Sequence, residues 1–286
     1  MKHTSTQLKD LINLFLNRVN LKLDTLTYER IENNRLNKLE QRGNFTKEVF
    51  AVPSSFLASK HEVILKALSS HSSRFQSFQD QSDNDVGYSY DNNYFSSPDA
   101  EVLYTVVREF SPNTVIEVGC GNSTKITKQA ILDGKVVTKL ISIDPEPRAD
   151  IKHLPDQVLL QPVEEVDPSL FESLQSGDIL FIDSSHIIKT GNDVVFLFTN
   201  IIPRLPSGVV IHIHDIFIPY DYPKDWVIGT DWNFNEQYLV HCVLMLSDKF
   251  EVIWPGYYLQ KTISDFADYF PNIRQGNAQS LWLRKL

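Results

Sequence analysis

Val115-Ile116-Glu117-Val118-Gly119-Cys120-Gly121-Asn122-Ser123 is the stretch from which the fold can be read. A short apolar run ends in a Gly-x-Gly turn, and a helix-compatible segment follows. Glycines let a backbone turn tightly and approach a ligand closely, while the first turn of a helix offers free N–H groups to an anion. Many nucleotide-binding folds share such a turn, and two details narrow it here. Thr124 stands where the dinucleotide fingerprint would place its third glycine. Glu117 lies inside the strand, two residues before the turn, where it can meet a cationic amino group.

Downstream, short apolar runs alternate with helical stretches. Strands are predicted at Thr114–Val118, Leu140–Ile143, Val158–Leu160, Asp178–Ile182, Val209–Ile213, Phe250–Trp254 and Leu281–Leu283. Most of the first five lack polar alternation, as strands buried on both faces do. Helices are predicted at about Thr124–Leu132, Asn192–Ile202 and Asn235–Leu246. The alternation implies βαβ units: an α/β, Rossmann-like, doubly wound sheet of seven mostly parallel strands. Leu140-Ile141-Ser142-Ile143-Asp144-Pro145 ends a strand in an acid. In such folds a carboxylate there accepts the ribose hydroxyls, although taken alone Asp144 also reads as a simple cap.

Two further strands end in chemistry. Asp178-Ile179-Leu180-Phe181-Ile182-Asp183-Ser184-Ser185-His186 brings Asp183 and His186 to the carboxyl edge of the sheet, where open α/β folds bind ligands. In Val209-Val210-Ile211-His212-Ile213-His214-Asp215, alternation puts His212 and His214 on one face. His212, the deeper, reads as a hydrogen-bonded core histidine. Asp183, His214 and Asp215 can bind a divalent metal, Mg²⁺ or Mn²⁺, or can simply cap helices and hold loops.

With these residues in view, the chain resembles the class I S-adenosylmethionine-dependent methyltransferases, whose first motif is an acid, a small apolar residue and Gly-x-Gly. The resemblance implies that Glu117, Gly119 and Gly121 line the methionine end of the cofactor. It also implies that Ser123 or Thr124 holds the cofactor carboxylate, and that Asp144 binds the ribose. Asp183-Ser184-Ser185-His186, Pro203-Arg204-Leu205, His214-Asp215-Ile216-Phe217 and Ser280-Leu281-Trp282-Leu283-Arg284-Lys285 resemble a bacterial subgroup that includes the metal-dependent sugar O-methyltransferases of macrolide biosynthesis. Carried over, Asp183 and Asp215 are metal ligands beside the cofactor and His186 is the general base. His214 departs from that pattern, which has an acid in its place. The resemblance runs from about Tyr94 to the C-terminus and implies O-methylation of a small molecule, a sugar or a natural-product hydroxyl. The competing readings are an NAD-dependent oxidoreductase, disfavoured by Thr124, and a non-catalytic cofactor-binding protein.

Residues 1–93 read as an N-terminal helical extension and polar loop, ahead of a methyltransferase domain at 94–286. Leu8, Leu11, Ile12, Phe15 and Val19 recur at helical spacing, and a second helical pattern covers Ser59 to Leu68. The first stripe is either a homodimer arm or a helix packed on its own domain. Gln76 to Asp99 is polar but carries Tyr88, Tyr90, Tyr94 and Phe95, so it reads as a surface loop that closes over a ligand or as a simple domain junction. Pro98 and the acids Asp99 and Glu101 suit the first turn of another helix. Phe217 to Phe234, with Tyr220, Tyr222, Trp226 and Trp232, follows the catalytic edge and reads as a substrate-facing loop or an ordinarily packed one. Composition sets the remaining expectations. A net charge of −9 with no basic stripe argues against a nucleic-acid partner. No apolar run is long enough to span a bilayer, and no signal-peptide core follows the N-terminus, so a cytoplasmic location is expected. Cys120 and Cys242 form no metal or disulfide framework.

Overall fold

The computed structural model describes residues 2–148, 150–230, 232–270, 272–273 and 276–286. All seven predicted strands form, within two residues of their expected bounds: β1 Thr114–Val118, β2 Lys139–Ile143, β3 Gln157–Leu159, β4 Ile179–Ile182, β5 Val210–Ile213, β6 Phe250–Pro255 and β7 Leu281–Lys285. They make one sheet in the order β3-β2-β1-β4-β5-β7-β6. The first five are parallel, and β7 runs antiparallel between β5 and β6. The absence of polar alternation has its expected cause. Val115, Leu140, Ile179, Phe181 and Val210 enter one core with the helix Asp99–Phe110. Their neighbours Ile116, Ile141, Leu180 and Ile211 enter a second core on the opposite face.

Because strand order reverses about β1, a crevice opens at the carboxyl edge between β1 and β4, where ligands of such folds sit. His212 is a core residue, stacked on Phe181 with ring centres 3.9 Å apart and with Nε2 2.9 Å from Ser280 Oγ.

Outside the sheet the structure departs from the sequence reading in four places. The polar segment before Asp99 is not a surface loop: Tyr88, Tyr90 and Phe95 are buried in the first core. Side chains satisfy its backbone in place of a ladder, since Asn92 Oδ1 accepts from the N–H groups of Tyr94 and Phe95. Ile64, Leu65, Leu68, Phe75 and Phe78 share that core, so packing runs across position 94 without a break. Of the stripe on the helix Lys2–Leu16 and its continuation, Leu11, Ile12, Phe15 and Val19 are exposed, against the reading of a helix packed on its own domain; the side chain of Leu8 lies outside the described residues. Lastly, the helix expected over Asn192–Ile202 is α-helical only at Asp193–Phe196. It widens into a π turn over Leu197–Ile201 and ends at Pro203, which has no N–H to continue it.

The acids of the Asp99–Phe110 helix also do more than face its N-terminus. Asp99 accepts from the N–H groups of Gln279 and Ser280, tying the start of the helix to the entry of β7. Glu101 is fully buried with its Oε1 accepting from Ser97 Oγ. Burial raises its carboxyl from an ordinary 4.5 to about 7. Between those values the folded protein keeps a proton that the unfolded chain has lost. The associated stability is therefore complete below the ordinary value and lost as pH rises through about 7. Glu117 is raised in the same way, to about 7, by its own burial. We expect Glu101→Gln to flatten the loss of stability between pH 5 and 8 by roughly 2–3 kcal/mol without abolishing it. Chemical unfolding at both pH values measures this, and an unchanged slope would show that Glu101 does not take up a proton on folding.

Candidate active site

The sheet register builds the site. Backbone pairing continues one residue past the strands: Asp144 N–H donates to Leu159 O, Gly119 N–H to Ile143 O, Asp183 N–H to Val118 O and His214 N–H to Ile182 O. Asp144, Gly119, Asp183 and His214 thus stand side by side along the carboxyl edge. They line a cleft of about 1860 Å³, together with Gly121, Ser123, His186, Asp215, Tyr94, Trp226, Trp232 and Phe234. A smaller apolar hollow of about 400 Å³, lined by residues such as Ile202, Val240 and Leu283, contains none of the expected site residues.

In the first turn, Gly119 has φ +76°, and a Cβ there would lie 1.8 Å from the carbonyl oxygen of Asp183. Only glycine lets β1 and β4 close together at that point. Gly121 is different, because a Cβ there would meet nothing within 4 Å and would project into open space. Glu117 does not line the cleft. Its buried carboxylate accepts from Ser123 Oγ at 2.7 Å, Thr124 Oγ1 at 2.7 Å and Ser142 Oγ at 2.9 Å. This corrects three expected roles. Glu117 binds the turn rather than a cationic ligand, and the hydroxyls of Ser123 and Thr124 are committed to it rather than held out to a carboxylate. What remains open to an anion is the backbone at the start of the helix Asn122–Gly134. Asp144 faces the cleft with Oδ2 accepting from Cys120 N–H and Oδ1 from Glu146 N–H. Each oxygen retains a second lone pair for a ribose hydroxyl.

At the other end, Asp183, His186 and Asp215 converge, each offering one ligand atom and all three atoms lying within 4.8 Å of one another. His186 Nε2 is 3.2 Å from Asp183 Oδ1 and 3.2 Å from Asp215 Oδ2. Its Nδ1 is 2.9 Å from Glu236 Oε2. His214, expected as the third metal ligand, stands outside this group, with Nε2 3.7 Å from Asp215 Oδ1. His186 takes its place.

Burial alone would lower the His186 pKa, but Asp215, Asp183 and Glu236 together hold it well above its ordinary value. Without a cation the three carboxylates hold this imidazole protonated, and with a cation at Asp183 and Asp215 the Nε2 lone pair would be spent on that ion; in neither state is it free for a substrate proton. The geometry therefore argues against the expected role of His186 as general base. Burial raises the Asp215 carboxyl. Burial pushes Asp183 the same way, yet His214 and His186 outweigh it and bring that carboxyl down to about 2. Glu236 was invisible to the sequence reading. An acid opening the helix Glu236–Leu246 looks like any first-turn acid.

Residues 116–216 match the family model described as a methyltransferase domain. The matched stretch runs from within β1 to just past β5 and includes the Gly119–Gly121 turn. Its strand order and five parallel strands are those of a Rossmann-like α/β fold. No curated protein matches the chain. Among solved structures it is similar to the S-adenosylhomocysteine-bound methyltransferase PaMTH1 of Podospora anserina, at 17% identity over 65% of this chain and 77% of that one, with a TM-score of 0.41. It is similar also to an O-methyltransferase of Bacillus cereus in complex with S-adenosylhomocysteine, at 9% identity over 96% and 97%, with a TM-score of 0.42. A third is a chain described as cmcI with Mg and S-adenosylmethionine, at 16% identity over 71% and 81%, with a TM-score of 0.38.

The residues of the cleft fit the expected methyl donor, S-adenosylmethionine. Gly121 leaves open a space that a Cβ would fill, and Asp144 presents a carboxylate to the same cleft. The two glycines should separate under mutation. Gly119→Ala forces β1 from β4 and should lower the melting temperature sharply or prevent folding. Gly121→Ala should keep the fold yet weaken S-adenosylhomocysteine binding by about tenfold or more, since it fills the space a ligand needs. Thermal melts and calorimetry test both, and undiminished binding by Gly121→Ala would remove that turn from the cofactor site.

Proposed function

We propose that the chain transfers the methyl group of S-adenosylmethionine to a hydroxyl of a small molecule, a sugar or a natural-product ring. In this reading a divalent cation is held at Asp183, Asp215 and His186. The observation that carries the proposal is the convergence of those three side chains in the cleft that also holds Gly119, Gly121 and Asp144. Trp226, Trp232 and Phe234 wall the same cleft, and Trp232 and Phe234 stack with ring centres 5.4 Å apart. Such a wall suits a planar ring or the CH face of a sugar.

When bound, S-adenosylmethionine supplies an electrophilic methyl group, and a divalent cation eases deprotonation of a hydroxyl. The chain's own contribution is placement and charge. Asp144 and the Gly119–Gly121 turn fix the donor end, and the aromatic wall fixes the acceptor and excludes water. Asp183 and Asp215 set negative charge where the hydroxyl proton must leave.

Release of S-adenosylhomocysteine, followed over a panel of glycoside and phenol acceptors, tests the reading. Asp215→Asn should cut turnover by about 10²–10⁴-fold while leaving S-adenosylhomocysteine affinity within about twofold. A chelator should do the same to the unaltered chain and nothing further to the variant. Full turnover in Asp215→Asn would contradict the proposal. The exposed stripe at Leu11, Leu14 and Phe15 extends it to a homodimer. Light scattering should then give twice 32.9 kDa, with Phe15→Asp returning the chain to that monomer mass.

A further inference from the structure

We infer that Glu236 sets the metal preference of this methyltransferase. It does so by holding His186 so that Nε2 becomes a third ligand beside Asp183 and Asp215, and the site takes a transition-metal ion such as Mn²⁺ in preference to Mg²⁺. This rests on the reading of the Asp183–His186–Asp215 cluster as a cation site.

Four observations support it. First, Glu236 is fully buried, and among the described residues its side chain makes one hydrogen bond, Oε2 to His186 Nδ1 at 2.9 Å. Its Oε1 has no hydrogen-bond partner among the described residues. A buried carboxylate so sparsely satisfied is costly, and the fold retains it for that one contact. Second, burial raises the Glu236 carboxyl and His186 counters it; ionised, it can only accept, which assigns the proton to Nδ1 and leaves Nε2 facing Asp183 and Asp215. This is the carboxylate–histidine–metal arrangement, in which the outer carboxylate fixes the tautomer and raises the basicity of the ligating nitrogen.

Third, the spacing suits an ion. Nε2 lies 3.2 Å from each carboxylate oxygen, and neighbouring ligands on a six-coordinate cation with bonds of about 2.1 Å stand roughly 3 Å apart. Fourth, His186 is held more firmly than a bystander needs to be. His186 and Asp215 both sit in the left-handed region, at φ +59°. Such conformations in non-glycine residues persist where the surroundings enforce them. The carbonyl of His186 accepts from the N–H groups of Asn235 and Glu236, and Phe234 packs against its ring at 5.0 Å. Residues 234–236 thus hold backbone and imidazole together. An imidazole nitrogen in the set favours Mn²⁺, Fe²⁺, Co²⁺ or Zn²⁺, whereas Mg²⁺ is best served by oxygen alone.

The full chain and its Glu236→Gln and Glu236→Ala variants should be titrated by calorimetry with MnCl₂ and with MgCl₂. S-adenosylhomocysteine binding serves as a separate control. Electron spin echo spectroscopy of the Mn²⁺-loaded chain reads whether nitrogen is coordinated. The unaltered chain should bind Mn²⁺ at least about tenfold more tightly than Mg²⁺ and should show coupling to one imidazole nitrogen. Glu236→Gln should weaken Mn²⁺ binding by about 10–100-fold and narrow the Mn²⁺/Mg²⁺ ratio, with S-adenosylhomocysteine affinity unchanged. Equal affinities for the two ions, bound Mn²⁺ without nitrogen coupling, or wild-type Mn²⁺ affinity in both variants would each overturn the inference. So would a chain that binds S-adenosylhomocysteine but no Mn²⁺, and that result would leave the methyltransferase reading standing. Failure to bind S-adenosylhomocysteine at all would strike the methyltransferase reading instead.

Discussion

The buried carboxylate of Glu117 is the constraint on which the rest of the structure depends. It stands in an interior strand of a sheet covered on both faces, where an unsatisfied charge or acid would be severely destabilising. Three hydroxyls answer it, from Ser123 and Thr124 at the start of the following helix and from Ser142 on β2. Those bonds fasten the turn to the strand before it and the strand beside it. The Gly119–Gly121 backbone is thereby held over the crevice instead of folding back upon it. The tight approach of Gly119 to Asp183 follows, and with it the alignment of Asp144, Asp183 and His214 along one edge.

A second constraint acts at the far end of that edge. Two non-glycine residues in left-handed backbone, His186 and Asp215, sit where a carboxylate pair meets an imidazole. Strain of this kind costs on the order of 1–3 kcal/mol per residue. It is offset by the hydrogen bonds from residues 235 and 236 to His186 and by burial of the aromatic residues around them. Asn20, Ser111, Lys135 and Asn233 carry the same left-handed backbone elsewhere, and His186 and Asp215 bring it to the place where chemistry is proposed.

Much of this architecture was legible in the residues. The strands could be read because each is short, apolar on both faces and closed by glycine, aspartate or proline. Asp183, His186 and Asp215 could be placed at one edge because strand ends in such a sheet share a side. Tyr88, Tyr90 and Phe95 were hidden because polarity usually marks solvent, whereas here Asn84 and Asn92 spend their side chains on backbone groups of a packed segment. Glu236 was hidden for the opposite reason. Its position at the start of a helix is one that acids occupy everywhere, and only the tertiary fold brings it to a histidine 50 residues away. Asp99 was misread by the same rule, since its carboxylate serves β7 rather than its own helix. His214 looked like a ligand because it adjoins Asp215, but strand alternation turns it toward Phe95, at a ring distance of 5.1 Å.

The central claim is that one cleft holds the methyl donor and, beside it, a cation site made of Asp183, His186 and Asp215. A crystal structure of the chain grown with S-adenosylhomocysteine and MnCl₂ tests it most directly. The account predicts the ribose hydroxyls on Asp144, the amino-acid end over the Gly119–Gly121 turn, and anomalous density for manganese within about 2.3 Å of both carboxylates and of His186 Nε2. Ligand bound elsewhere, or manganese bound away from those three side chains, would contradict it.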